Sequence, residues 1–153
     1  MDKLTAFWNR FLESKNLPKD TTYATSFYFG AGEEMAKELL DLVLQGKKRA
    51  TTSALPSFEA EGEKVPEVGD YIILTEFDGT PRCVAQDVAV LIKPFCEMTF
   101  DIVKREGEDE CLETWQENHR KFFGMDAEAL GYTFNENTLV VFEDFEVVYV
   151  EEL

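Results

Sequence analysis

Residues 71–92 constrain the fold most, because they contain two strand-like runs separated by a turn sequence. Residues 71–74 and 83–92 are mostly apolar, and Asp78-Gly79 between them is typical of a β-hairpin turn. Apolar runs without strict alternation indicate strands that are covered, at least in part, on both faces. The sequence therefore predicts a hairpin of long strands, preceded by a loop over the Pro- and Gly-punctuated residues 56–69.

Three further segments, residues 4–12, 33–45 and 112–123, have the apolar spacing of amphipathic helices. Gly46 follows the second of them, where a left-handed residue commonly ends a helix. Residues 138–150 predict a C-terminal strand, in which alternation places Phe145, Val147 and Tyr149 on one face. Helices and strands in no regular order indicate an α+β fold, built on a barrel of mixed or antiparallel strands with flanking helices.

The chain length of 153 residues is typical of one domain, and 44% of the residues are hydrophobic. We expect residues 1–153 to form a single domain, with residues 1–20 as an N-terminal helix packed on the barrel. No run approaches the roughly 20 apolar residues that span a bilayer, and the N-terminus does not resemble a secretion signal. The widely spaced Cys83, Cys96 and Cys111 indicate neither disulfides nor a metal site, so we expect a cytoplasmic protein without metal or cofactor.

The net charge of −16 repels phosphate and argues against tight binding of long nucleic acids. Against this background, Lys47, Lys48 and Arg49 form a local run of positive charge that is followed at once by the hydroxyl residues 51–53. Cations beside hydroxyl groups suit a phosphate, a carboxylate or a polar base. The alternative is that these cations only complement the dipole at the end of the preceding helix.

Within this run, Gly46, Lys48 and Thr51 match the pattern Gly-x-Lys-x-x-Thr. Further motifs in the same order lie on both sides of it: Phe29-Gly30, Pro66-x-x-Gly69-Asp70, Pro94-Phe95, Glu106-Gly107-Glu108 and Trp115-x-x-x-His119-x-x-Phe122-Phe123. With these motifs the chain resembles the ASCH (activating signal cointegrator homology) domain family. That resemblance implies a PUA-like β-barrel, a fold related to the PUA domain of RNA-modifying enzymes.

The resemblance also implies a site. Members of the family are proposed to bind RNA, and some are similar to enzymes that hydrolyse N4-acylated cytidine with a Thr, a Lys and a Glu. By position, these catalytic residues correspond to Thr51, Lys48 and Glu106. A threonine hydroxyl is a weak nucleophile that needs an adjacent base, and a carboxyl group can protonate a leaving amine. Four neighbouring residues are predicted to contact the ligand: Gly46, Lys47, Arg49 and Cys111.

Two departures from the family pattern bear on substrate choice. Long members commonly have a Gly after the second Glu of the acidic turn, where this chain has Asp109, and a Ser where it has Cys111. His119 and Trp115 lie on the apolar stripe of the third helix, so we interpret both as packing residues.

The leading hypothesis is a cleft that accepts a nucleoside, a nucleotide or a short single-stranded RNA, with amidohydrolase action on N4-acylcytidine-type nucleosides as one possible activity. A non-catalytic module for RNA or a modified base is the first alternative. A ribonuclease that needs no metal is the second. The ligand and the oligomeric state are not determined by the sequence, and no membrane partner is expected.

Overall fold

The computed structural model of the protein describes residues 1–151. Within this range there are five α-helices: Lys3–Ser14 (α1), Glu33–Leu44 (α2), Leu55–Glu61 (α3), Phe100–Val103 (α4) and Leu112–Leu130 (α5). The same range contains five β-strands: Thr25–Phe27 (β1), Ala50–Ala54 (β2), Tyr71–Thr75 (β3), Pro81–Pro94 (β4) and Leu139–Val150 (β5). Two short 3-10 segments, Phe95–Glu97 and Lys104–Glu106, flank α4.

The five strands form one sheet in the order β1-β3-β4-β5-β2. β1 pairs with β3 in parallel, whereas the other three pairs are antiparallel. The sheet is a curled half-barrel flanked by helices, so the predicted α+β architecture is confirmed. The predicted hairpin is the pair β3–β4, and β4 continues beyond it to make the longest strand of the sheet.

Helices cover both faces of the sheet. Successive side chains of a strand point to opposite faces, and in β3 Ile73 packs under α1 whereas Ile72 and Leu74 pack in a cluster with α2. The helix α5 covers β2 and β5 through Trp115 and Phe123. None of the described helices is both long and apolar enough to cross a membrane.

The prediction that Phe145, Val147 and Tyr149 share one face of β5 is wrong. Phe145 belongs to the cluster under α2, whereas Tyr149 packs with α1, its ring 5.5 Å from that of Phe7. The pairing of β4 with β5 shifts register at residues 84–85, and such an irregularity breaks the simple alternation along a strand.

Candidate functional site

The basic run lies between the end of α2 and the start of β2. Gly46 adopts a left-handed conformation with φ +79°, and the backbone N–H groups of Lys47 and Lys48 both donate to the carbonyl of Leu42. Lys47 and Arg49 are exposed, but only 2% of Lys48 is accessible to solvent. The turn therefore separates one buried cation from its two exposed neighbours.

The ammonium group of Lys48 is surrounded by acceptors. Its Nζ donates to the backbone carbonyl of Ala50 at 2.8 Å and to Oε2 of Glu108 at 2.5 Å, and it lies 3.4 Å from Oε1 of Glu106. The same atom is 5.0 Å from the centroid of the Phe29 ring. Phe29 belongs to the cluster under α2, whereas Glu106 contacts Trp115 in the cluster under α5. Lys48 thus reaches both sides of the sheet at its β2 edge.

Glu106 is the centre of the buried network. Its Oε2 accepts hydrogen bonds from Thr52 Oγ1 at 2.8 Å and from Trp115 Nε1 at 2.6 Å. His119 Nε2 lies 3.6 Å from the other carboxylate oxygen, and the imidazole stacks on Trp115 with ring centroids 4.2 Å apart. The carboxylate therefore ties α5, β2 and Lys48 together.

Gly107 allows the acidic turn to approach the basic turn closely. Its φ of +71° is left-handed, and a Cβ at this position would collide with the backbone carbonyl of Lys47. A larger residue would push Glu106 and Glu108 away from Lys48. The glycine of the Glu106-Gly107-Glu108 motif is thus required by the contact between two distant turns.

The two glutamates differ in their charge states. Burial alone would raise the pKa of Glu106, but the charge of Lys48 and the contacts of His119 and Trp115 outweigh burial and lower the pKa to about 2. Burial raises the pKa of Glu108, and the charge of Glu106 adds to this effect against the opposing influence of Lys48. For His119, the interaction with Glu106 overcomes burial and raises the pKa. Glu106 is therefore the member that is ionised at neutral pH, and Glu108 is the one that takes up a proton more readily.

The two threonines of the motif point to opposite faces of β2. Thr52 shares its face with Ala50 and Ala54 and bonds Glu106, whereas Thr51 pairs in register with Glu143 of β5. Directly opposed residues of an antiparallel pair place their side chains on the same face. Among the described residues it is Thr52, and not Thr51, whose hydroxyl reaches the Lys48–Glu106 network.

The face of β2 that carries Thr51 and Ser53 borders a cleft of about 490 Å³. The polar groups of its wall are hydroxyls and carboxyls, contributed by Thr25, Ser26, Ser53, Ser57, Glu61, Glu63, Asp70, Asp87 and Glu143. Phe27 and Phe58 add aromatic surface, and Lys64 is the basic residue among the described lining residues. The cleft is large enough for a nucleoside-sized molecule and is negatively charged.

The remaining predicted contact residue, Cys111, lies at the N-terminal boundary of α5 with its Sγ 3.6 Å from Thr114 Oγ1. It is free and half-buried. Trp115 is fully buried, and His119, which the sequence indicates as a packing residue, both packs on Trp115 and approaches Glu106.

Three buried polar residues of the strands, Thr52, Asp87 and Glu143, are not predicted as site residues from the sequence. A polar residue within a largely apolar strand run is the sequence feature that could have indicated them.

Replacing Thr52 with valine is expected to lower the free energy of unfolding by about 1.5–3 kcal/mol, since it removes a hydrogen bond to a buried ionised carboxylate. The matched variant Thr51→Val changes a half-buried hydroxyl on the other face and should stay within about 0.5 kcal/mol of the native protein. Urea denaturation of both variants measures the difference. Equal effects would contradict the assignment of Thr52 to the network.

The protein is a small module of PUA-like architecture: a curled mixed half-barrel with a buried Lys–Glu network at one edge and a nucleoside-sized cleft beside it. The ASCH domain family model matches residues 25–149, and the chain belongs to this family. ASCH domains form a general class of RNA-binding or hydrolase-like modules. No curated protein matches the chain.

Two solved structures are similar over nearly the whole chain. The ASCH domain from Lactobacillus crispatus JV V101 is 34% identical with a TM-score of 0.85, and the match covers 97% of this chain and 96% of that one. Protein EF3133 from Enterococcus faecalis V583 is 30% identical with a TM-score of 0.86, and the match covers 95% of this chain and 87% of that one. These similarities extend from α1 to β5, so the N-terminal helix outside the family match is shared as well.

Proposed function

We propose that this ASCH domain binds an uncharged nucleoside in the cleft and hydrolyses an amide on its base, with Thr51 as the nucleophile. The observation that carries the proposal is the position of Thr51 on the cleft-bordering face of β2, three residues after the buried Lys48. Ser53 on the same face lines the cleft directly. A hydroxyl beside a ligand-sized cleft is suited to nucleophilic attack on a carbonyl once a base takes up its proton.

The charge of the cleft favours a nucleoside over a nucleotide or RNA. The described lining residues include five carboxyl groups and one cation, Lys64, whose Nζ is 3.4 Å from Glu67. Phosphate would be repelled both by this lining and by the net charge of −16. Phe27 and Phe58 offer apolar surface to a planar base. The same argument counts against the ribonuclease alternative, since an RNA backbone would need an extended track of positive charge.

Thr51 lies on the face of β2 that points away from the Lys48 network, so its proton passes to a base on its own side of the sheet. Glu143, in register with Thr51, and Asp87 are carboxyls that line the cleft on that side. A carboxylate of these two accepts the proton of Thr51 while the threonine oxygen bonds to the amide carbonyl carbon. The carbon–nitrogen bond breaks, the same carboxyl returns that proton to the leaving nitrogen, and water hydrolyses the acyl ester on Thr51. Glu106 stays ionised and holds Lys48 in place.

Incubation of the purified protein with N4-acetylcytidine tests this proposal. The native protein should release cytidine and acetate, and Thr51→Val should reduce the turnover number by at least about 100-fold because the nucleophile is absent. The exposed Thr22→Val provides a matched control that should retain full activity. Chromatography of the nucleosides measures turnover, and mass spectrometry of the quenched native protein should detect an acetyl group on Thr51.

Full activity of Thr51→Val would contradict the assigned nucleophile. Saturable binding of N4-acetylcytidine without turnover would instead support a second candidate, a non-catalytic module that recognises a modified base. One observation favours that candidate: Lys48 Nζ is already bonded to Ala50, Glu106 and Glu108, which suits a structural role for this side chain.

A further inference from the structure

We propose that Asp87 and Glu143 form a proton-sharing carboxyl pair that recognises the hydrogen-bonding edge of the ligand ring in the cleft. The pair is formed by neighbouring strands, with Asp87 on β4 and Glu143 on β5, and both side chains line the cleft. Neither residue belongs to the basic motif or to the acidic turn. The inference deepens the proposed function, because it rests on the same cleft and assigns the groups that select its ligand.

The two carboxyls are buried, and no cation in the described part of the chain is paired with either of them. Asp87 is 1% exposed and Glu143 is 4% exposed. When both carboxyls are ionised, neither oxygen of Asp87 receives a hydrogen bond from a donor in the described part of the chain. A hydrogen bond with Glu143 lowers the pKa of Asp87 and raises that of Glu143, as expected when Glu143 holds the proton and donates it. Burying an unpaired carboxylate is strongly unfavourable, and native proteins retain such groups mainly where a ligand or a reaction uses them.

The geometry of β4 directs Asp87 toward the cleft. The pairing of β4 with β5 shifts register between Asp87 and Ala89, which leaves Val88 as an extra, exposed residue. A bulge of this kind commonly re-aims a neighbouring side chain. On the neighbouring strand, Glu143 is in register with Val90 of β4 and with Thr51 of β2, so its carboxyl lies on the same side of the sheet as the proposed nucleophile.

The surroundings allow the pair to keep one proton at neutral pH. Burial raises the pKa of Asp87 to about 6, and burial together with the charges of Asp87 and Asp70 raises the pKa of Glu143 to about 9. The other charged groups lining the cleft are Glu61 at the end of α3 and Glu63 and Lys64 just after it. Like-charged carboxyls at close range do not both ionise readily, so one retains a proton.

A carboxyl pair with one proton offers one O–H donor and several acceptor oxygens. The complementary ligand edge has an N–H donor beside an acceptor nitrogen, as in a planar heterocycle with an amino or acylamino group next to a ring nitrogen. The O–H would donate to the ring nitrogen, and a carboxyl oxygen would accept from the exocyclic N–H. Phe27 and Phe58 line the same cleft and provide surface for the plane of the ring.

Calorimetric titration of the full-length protein with cytidine, which is a product rather than a substrate, tests the inference separately from catalysis. N4,N4-dimethylcytidine lacks the N–H donor and 3-deazacytidine lacks the acceptor nitrogen, so each should bind at least about tenfold more weakly than cytidine, the loss expected for one buried hydrogen bond. Cytidine affinity should also fall at least about tenfold between pH 7 and pH 10, where the shared proton is lost.

Variants at the pair separate recognition from a structural role. Glu143→Gln keeps a donor and an acceptor that do not titrate, so the variant should bind cytidine within a few-fold of the native affinity at pH 7. Its cytidine affinity should not decline between pH 7 and pH 10. The exposed Glu146→Gln on the same strand should leave the native pH profile unchanged. Absence of cytidine binding at pH 7, equal affinity for the three nucleosides, or an unchanged profile in Glu143→Gln would each overturn the inference. Cytidine binding with this profile but no deacylation would overturn only the proposed hydrolysis.

Discussion

Replacing Glu106 with alanine is expected to lower the free energy of unfolding by about 3–5 kcal/mol, the range measured when one partner of a buried ion pair is removed. The side chains of Glu106 and Lys48 are 2% and 1% exposed, so neither charge is compensated by solvent. Alanine would leave the Lys48 ammonium with Glu108 as its remaining carboxylate, and Glu108 is itself partly exposed. The indole N–H of Trp115 and the hydroxyl of Thr52 would lose their acceptor as well.

Chemical denaturation of a small set of variants measures this effect. Glu106→Gln keeps the shape and one acceptor oxygen, so its loss should be smaller than that of Glu106→Ala. The exposed Glu110→Ala, four residues along the same acidic segment, should stay within about 0.5 kcal/mol of the native protein. If Glu106→Ala unfolded at the same denaturant concentration as Glu110→Ala, the buried network would not be a stabilising element of the fold.

The stability of the protein should decrease as the pH rises from about 5 to 9. The pKa values of Asp87 and Glu143 are raised in the folded state, to about 6 and about 9, so the folded protein binds more protons than the unfolded chain over this range. Stability falls with pH wherever the folded state holds the additional proton, by about 1.4 kcal/mol per pH unit for each proton. The loss due to Glu143 therefore accumulates until the pH passes its folded pKa.

Glu106 has the opposite dependence. Its pKa is lowered to about 2, so its stabilising contribution is complete above the ordinary pKa of a glutamate, near 4.5, and is lost as the pH falls toward 2. The two effects together predict greatest stability near pH 5. Thermal or urea unfolding from pH 3 to pH 9 measures the curve.

Glu143→Gln isolates the contribution of the carboxyl pair to this curve. The variant should be more stable than the native protein at pH 8 and should show a flatter decline above pH 5, whereas Glu146→Gln should follow the native curve. A native stability that is constant from pH 5 to pH 9 would contradict the raised pKa values.

Much of the architecture follows from local patterns. The helical apolar stripes predict α1 and α2 within one or two residues of their ends, and they predict the start of α5, which continues seven residues beyond the predicted stripe. The apolar runs around Asp78-Gly79 predict the β3–β4 hairpin. The short elements β1, β2 and α3 are not evident from the sequence, and α3 occupies part of the predicted loop at residues 56–69. A helix of seven residues contains less than two periods of the helical apolar pattern, and a strand of three to five residues contains only one or two alternations of apolar and polar side chains. The structure of such short elements therefore depends on the partners they pack against.

At the site, local patterns place Lys48 in a basic run after a helix end and Glu106 in an acidic turn. The folded chain shows that these turns meet, that Thr52 rather than Thr51 bonds Glu106, and that Thr51 faces Glu143. Periodicity shows which residues of one element share a face, but the pairing of β2 with β5 and the register shift beside Asp87 determine which distant side chains come together.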